Sequence, residues 1–232
     1  AWMVFQQTFV NPDKYMHYVK FWGFKGPLAC WICIWGTIAM LTSAPFDDWW
    51  HNTYGLDVQI ISPPHIVLAM GIFAIGLGSV LLILAERNLV DDSKRKTFDF
   101  VYLYAASLIL LQFCIVLTEY SFANKQHSYD YYKFSAIIYG FIIITFSQAS
   151  KRPFSATIIA VLFFIHRLLI LWILPLFEAE PLLGPIYRPI DHYVAPPFPP
   201  LLFIPAVVID LYRQKFNTEN NVIKAVVLGI IF

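Results

Sequence analysis

Charge is scarce in this chain. Only 13% of its 232 residues are Asp, Glu, Lys or Arg, about half the share of an ordinary soluble domain. So few charges cannot cover a surface that faces water, which excludes a free-standing soluble domain. With 59% hydrophobic residues and a mean hydropathy of +0.63, the bilayer is the solvent that remains. Cysteine is scarcer still, and Cys30, Cys33 and Cys114 all lie in apolar runs. Cys30-Trp-Ile-Cys33 has the CxxC spacing of a redox or zinc motif. No second CxxC exists to complete a tetrahedral zinc site, so on a transmembrane helix the pair reads as two small apolar residues. A net charge of +1 gives no sign of a nucleic-acid partner. No repeat of 20–50 residues is visible, no signal peptide is recognisable, and there is no haem-attachment motif. The chain starts at Ala1 and its last apolar run stops at Phe232, so a longer protein is expected around it.

What the sequence has in quantity is long apolar runs. A membrane-spanning helix needs about 20 such residues. Spans are expected at Pro27–Ala44, Ile60–Ala85, Phe98–Ser121, Tyr132–Gln148, Ser155–Phe177 and Phe198–Tyr212, with Val222–Phe232 as the start of a seventh. The fold class that follows is all-α: a polytopic transmembrane helical bundle of six to seven spans, occupying residues 27–232. Residues 1–26 form a separate segment, and the apolar positions within Trp2–Trp22 suggest an interfacial helix anchored by Met3, Phe9, Tyr15 and Phe21. Prolines at Pro63-Pro64 and at Pro196–Pro200 are expected in the first turns of the second and sixth spans. An aromatic share of 18% fits Trp and Tyr belts at the membrane surfaces.

Lys and Arg mark cytoplasmic loops. Twelve of them fall before the first span or in the second, fourth and sixth connections: Lys14, Lys20, Lys25, Arg87, Lys94, Arg95, Lys96, Lys151, Arg152, Arg213, Lys215 and Lys224. Three fall on the opposite side, Lys125, Lys133 and Arg188, and Arg167 lies inside a span. The N-terminal segment is therefore expected on the cytoplasmic side. The loops at 45–59, 122–131 and 178–197 then share the outer face. With the helix start at His65 they gather Asp47, Asp48, His51, Asp57, His127, Asp191 and His192 there.

The hairpin 45–65 is the most informative stretch: Pro-Phe-Asp47-Asp48-Trp49-Trp50-His51-Asn-Thr-Tyr-Gly-Leu-Asp57-Val-Gln-Ile-Ile-Ser-Pro-Pro-His65. Asp47 and His51 are four apart and share a face on a helical turn, with Asp48 as the competing carboxylate. A short loop can fold His65 back against them. One carboxylate and two imidazoles suit copper, iron or zinc and leave coordination positions open. Trp49 and Trp50 would shield such a site from water, although an interfacial aromatic belt accounts for them equally well. The alternative is an ordinary polar loop.

The pattern D-x-x-W-H, then an aspartate, then [ST]-P-x-H opening a helix resembles the hairpin that binds metal in one membrane subunit of the copper-dependent membrane monooxygenases, the family of particulate methane and ammonia monooxygenases. The likeness covers about 20 of 232 residues. It implies copper held by Asp47, His51 and His65, with Asp57 in the intervening loop. It also implies O2 and a small substrate, partner membrane subunits, and a bacterial or archaeal cytoplasmic membrane or its internal extensions. Two departures stand out. The loop between the histidines is one residue longer than in the family, and the third span offers Glu119 where the family carries an Asn and a His. Glu119 and His192 are further candidate ligands.

Ionisable groups inside a span are costly and draw attention. Arg167 is expected in a structural ion pair with Glu119, Glu178 or Glu180, and His166 as a hydrogen-bonded packing residue. The proline-rich segment 178–197 could cap the hairpin or dock a partner. His17 is remote from the hairpin. Three functions follow for testing: a metal-binding, most simply copper-binding, membrane subunit of an oxygenase that hydroxylates a small molecule with O2; a non-catalytic structural subunit of a larger respiratory or oxygenase assembly; and a transporter. The last is disfavoured because no inverted repeat or broken midplane helix is visible.

Overall fold

A computed structural model describes residues 1–12, 17–55, 61–117, 128–150, 152–180, 189–216 and 221–232, with the side chains of the last stretch described from residue 225. The elements are almost all helical: α1 (Trp2–Phe5) continued by a π-helical turn (Gln6–Val10), α2 (Leu28–Tyr54), α3 (Pro63–Leu89), α4 (Asp92–Val116), α5 (Tyr129–Ala149), α6 (Ser155–Ile173) with a 3₁₀ extension (Leu174–Leu176), α7 (Phe203–Lys215) and α8 (Asn221–Ile231). One small hairpin, β1 (Val19–Phe21) with β2 (Phe24–Gly26), precedes α2. Residues 1–112 and 113–232 form two compact units, with α4 running from one into the other.

Among the described residues, five helices are long and apolar enough to cross a membrane: α2, α3, α4, α5, and α6 with its extension. In α3 the most apolar window has a mean hydropathy of 2.7, yet only 17% of it is buried within the protein. Side chains such as Leu41, Met70 and Phe141 stand open. Helices of this kind satisfy their own backbone and leave their side chains to lipid, so the chain is an all-α membrane protein in contact with the bilayer.

The count is five where six to seven were expected. The sixth segment becomes helical only at Phe203, so α7 has 13 residues and rises about 20 Å, short of the roughly 30 Å hydrocarbon core. The run Pro196–Pro200 lies in non-helical chain ahead of it rather than in its first turn. α8 has 11 residues. The first span changes too. The helix runs past Ala44 through Pro45 to Tyr54, so Asp47 and His51 sit on the last turns of α2 and not in a loop.

In the first unit α2 and α3 pack back to back. A Cβ placed on Gly36 would lie 2.7 Å from the Gly71 carbonyl oxygen, and one on Gly71 would lie 2.7 Å from that of Gly36. One on Gly78 would lie 2.7 Å from the Ala29 oxygen. Ala29, Gly36 and Ser43 recur every seven residues on α2, and Pro64, Gly71 and Gly78 do so on α3. All six are buried. Small residues let two backbones approach in a medium that offers helices little hydrophobic drive to associate.

The N-terminal segment is not one interfacial helix. Met3 and Phe21, expected as anchors, pack inward against the cluster of Val4, Cys30 and Trp31. Trp22 and Gly23 both take positive φ to turn the hairpin, as a tight two-residue turn requires. Phe9 is exposed, and Tyr15 lies outside the described residues.

In the second unit a buried carboxylate caps a helix from another element. Asp210 of α7, 2% exposed, accepts hydrogen bonds from the Thr157 N–H (2.7 Å), the Thr157 hydroxyl (2.8 Å) and the Ala156 N–H (3.3 Å) at the start of α6. Arg213 stands 3.7 Å away and donates to the Ser147 carbonyl and the Ser155 hydroxyl. The first N–H groups of a helix have no partner within it, and a negative charge there also meets the positive end of the helix dipole.

Candidate functional site

The α2–α3 packing in the first unit brings the end of α2 beside the start of α3. Asp47 and His51, one turn apart on α2, hold His51 Nε2 3.4 Å from Asp47 Oδ1. His65, in the first turn of α3, holds its Nε2 3.8 Å from the same oxygen. Pro63 and Pro64 start that helix, where a missing N–H costs nothing. Asp48, the competing carboxylate, is exposed on the other side of the turn. Asp47, His51 and His65 are therefore brought together, and Asp48 is not.

Each imidazole is held by its other nitrogen. His51 Nδ1 lies 3.1 Å from the Gly55 carbonyl. A carbonyl only accepts, so Nδ1 carries a proton and Nε2 is the nitrogen turned toward Asp47. Gly55 can turn its carbonyl this way because φ is +87°, a conformation open to glycine; its own N–H closes α2 on the His51 carbonyl. His65 Nδ1 is 2.8 Å from the Ser62 hydroxyl. Ser62 occupies the N-cap position of α3, yet its side chain makes no capping bond there and serves the ring instead.

Asp47 Oδ1 is buried and makes no hydrogen bond. At 3.4 and 3.8 Å the imidazole nitrogens stand beyond hydrogen-bond length, which is about 2.7–3.2 Å for N–H···O. Neither imidazole nitrogen closes on the Asp47 oxygen at hydrogen-bond length. Two donors each about 2.0–2.1 Å from one ion at a tetrahedral angle lie about 3.3 Å apart. The donor types, one carboxylate oxygen and two imidazole nitrogens, are ones that copper, iron or zinc accept. Among the described residues, no group of three or more His, Cys, Asp or Glu forms a ready-made metal cage; the three side chains approach pairwise through one oxygen. Each is a quarter to two-fifths exposed, at 25% for His51, 33% for Asp47 and 38% for His65, so the corner is open on one side.

The aromatic residues beside it pack chiefly on one another. Trp50 and Tyr54 are 4.5 Å apart, Phe46 stacks on Trp49 at 5.9 Å, and Trp49 meets Tyr54 edge-on. Trp49 is half exposed.

The further candidates fare differently. Asp57, Glu119 and His127 lie outside the described residues. His192 belongs to the second unit, where it pairs with its neighbour Asp191 at 3.1 Å. That hydrogen bond holds the Asp191 carboxyl below the ordinary carboxylate range. His166 Nδ1 donates to the Leu162 carbonyl of its own helix at 2.6 Å, as a packing histidine does. Arg167 makes no ion pair with Glu178 or Glu180, and among the described residues it donates to the Pro197 carbonyl at 3.0 Å; Glu119, the other expected partner, lies outside the described residues. Cys30 and Cys33 turn to different neighbours, the Met3 sulfur and the Ile75 carbonyl, each 3.7 Å away.

Sequence reasoning missed the supports of the corner. Ser62 and Gly55 orient the rings, and the Gly36–Gly71 and Gly78 contacts set the helix spacing. The signal for the latter was the seven-residue recurrence of small residues on both helices. No family model, curated protein or solved structure matches this chain.

Proposed function

We propose that this protein is a metal-binding membrane subunit of an oxygenase assembly, with the ion held by Asp47, His51 and His65. The observation that carries the reading is the buried Asp47 Oδ1, without a hydrogen bond and faced by two imidazole Nε2 atoms. His51 fixed through the Gly55 carbonyl and His65 through Ser62 are oriented as metal-ligating histidines are, each ring nitrogen opposite the ligand having its own partner. The likeness of the D-x-x-W-H…S-P-P-H hairpin to that of the copper membrane monooxygenases favours copper over iron or zinc. Copper bound there supplies one-electron and O2 chemistry. The protein's own part is to hold the donors, to leave one side of the corner open, and to flank it with Phe46, Trp49, Trp50 and Tyr54, a setting suited to a small apolar substrate. Electrons and the remaining substrate contacts come from partner membrane subunits.

The second reading is a structural subunit in which a proton, shared by the imidazoles, offsets the Asp47 charge. The 3.4 Å Asp47–His51 separation is also that of an ordinary ion pair, which favours it. Metal content separates the two. Mass spectrometry on the protein purified in its native membrane assembly is expected to find about one copper per chain, lost in His51→Ala and His65→Ala and retained in Asp48→Ala. An intact preparation with no stoichiometric metal would leave the structural reading.

A further inference from the structure

The β1–β2 hairpin sets an apolar tip and two lysines beside a membrane-spanning helix. Val19 pairs with Gly26, Lys20 with Lys25 and Phe21 with Phe24. Directly opposed residues share a face, and successive ones alternate. One face packs inward: Gly26 lies against Val4, Phe24 meets Phe9 edge-on at 5.8 Å, and Phe21 packs on Trp31 and Trp35. The other face carries Lys20, exposed, and Lys25, half-buried with its ammonium 5.2 Å from the Tyr18 ring. Like charges set directly opposite weaken a strand pair, and an anion lying between them reverses that effect.

The hairpin is held at both strands. The Trp31 indole N–H donates to the Val19 carbonyl at 3.1 Å, and the Lys25 N–H donates to the Thr8 hydroxyl at 2.8 Å. Its tip lies alongside α2, with Trp22 edge-on to Trp35 at 6.2 Å. The 27 residues of α2 make a helix about 40 Å long, against a hydrocarbon core of about 30 Å. The last turns, from Asp47 to Tyr54, account for the excess and leave Leu28 at the opposite boundary. Trp35 lies seven residues on from Leu28, about 10 Å along the axis. Trp22, 83% exposed, therefore stands open at a level where α2 itself faces lipid.

We propose that the hairpin is a lipid-binding element on the membrane side away from the Asp47 corner. Trp22 is seated at the boundary of headgroups and acyl chains beside Trp35, and an anionic phospholipid headgroup lies between Lys20 and Lys25. An indole suits that boundary because its ring is apolar and its N–H polar. The inference rests on the first unit alone and does not depend on a metal at the corner.

The test uses the full chain in phosphatidylcholine nanodiscs. The tryptophan emission lost in Trp22→Phe isolates the signal of Trp22. Its quenching is measured with phosphatidylcholine and phosphatidylglycerol carrying a nitroxide on the acyl chain, and with aqueous iodide. Quenching by a nitroxide near the glycerol is expected to exceed that by one at the chain end or by iodide. The labelled phosphatidylglycerol is expected to quench more than the labelled phosphatidylcholine. Lys20→Gln and Lys25→Gln should each cut that preference about fivefold, the worth of one lysine near an anionic surface, without changing the depth. Quenching by iodide alone would overturn the proposal, as would protection from every quencher, which would mean that protein covers the tip. So would equal quenching by the two lipids, or a preference unchanged in the folded double variant. Should the lysine variants fail to fold, salt decides: the preference is expected to fall as ionic strength rises, and a salt-independent preference would overturn the proposal.

Discussion

At the scale of single residues, the corner depends on which atom of each ring is occupied. His51 offers Nε2 because Gly55 takes Nδ1, and His65 is turned by Ser62. Removing such a support typically costs a metal site about 10–100-fold in affinity. Ser62→Ala is therefore expected to weaken copper binding by roughly that factor without unfolding the protein, as read by competition with a chromogenic chelator. Asp47→Asn is expected to abolish stoichiometric metal while Asp48→Asn leaves it, since only Asp47 faces the imidazoles. The residue types of the corner and their four-residue spacing were legible in the sequence. The choice between Asp47 and Asp48 was not, because neighbours one position apart point about 100° apart on a helix and only the packed partner says which way is inward. Asp191 is a smaller case. His192 holds its carboxyl below the ordinary range. A carboxylate depressed in this way contributes its interaction above the unfolded value and loses it as pH falls through the lowered one. His192→Gln is expected to move the Asp191 midpoint back up, measured by NMR titration of the labelled carboxyl carbon.

At the scale of elements, the α2–α3 pair does the positioning. Gly36, Gly71 and Gly78 each have partner backbone 2.7 Å from where a Cβ would sit. Gly71→Leu is expected to force the helices apart, lower the apparent Tm in detergent and, if the proposed metal is there, release it together. A change at an exposed position of the same helix, Met70→Leu, should do neither. In the second unit, Asp210→Ala removes the cap of α6 and leaves Arg213 without its carboxylate. Breaking a buried pair from one side costs about 3–5 kcal/mol, and denaturant unfolding of the detergent-solubilised protein should show a loss of that order. Arg213→Gln should cost less, because Asp210 keeps its three hydrogen bonds from Ala156 and Thr157. Helix existence was evident from the apolar runs, whereas their ends were not: α2 continues ten residues past Ala44 through Pro45, since one helix proline removes one hydrogen bond and the flanking packing outweighs it.

At the scale of the whole molecule, five helices among the described residues meet the length and hydropathy of a span, and the distribution of Lys and Arg predicts which side their connections face. Reporter fusions at Val90 and Arg152 are expected to report the cytoplasm and a fusion at Ser128 the opposite side; a reversed pattern would reverse the outer placement expected for the Asp47 corner. Composition alone determined that the protein lives in a bilayer and is all-α, because in hydrocarbon every backbone group must find its partner within the helix. Local spacing also picked out Asp47, His51 and His65, since residue type and i, i+4 proximity are properties of the chain itself. Only the tertiary structure decided that the sixth segment is a 13-residue helix preceded by non-helical chain, that Met3 and Phe21 turn inward, that one buried oxygen of Asp47 meets both imidazoles, and that Arg167 donates to the Pro197 carbonyl. Those outcomes depend on which surfaces of distant segments meet, and close approach is set by atoms far apart in the chain that no local pattern encodes.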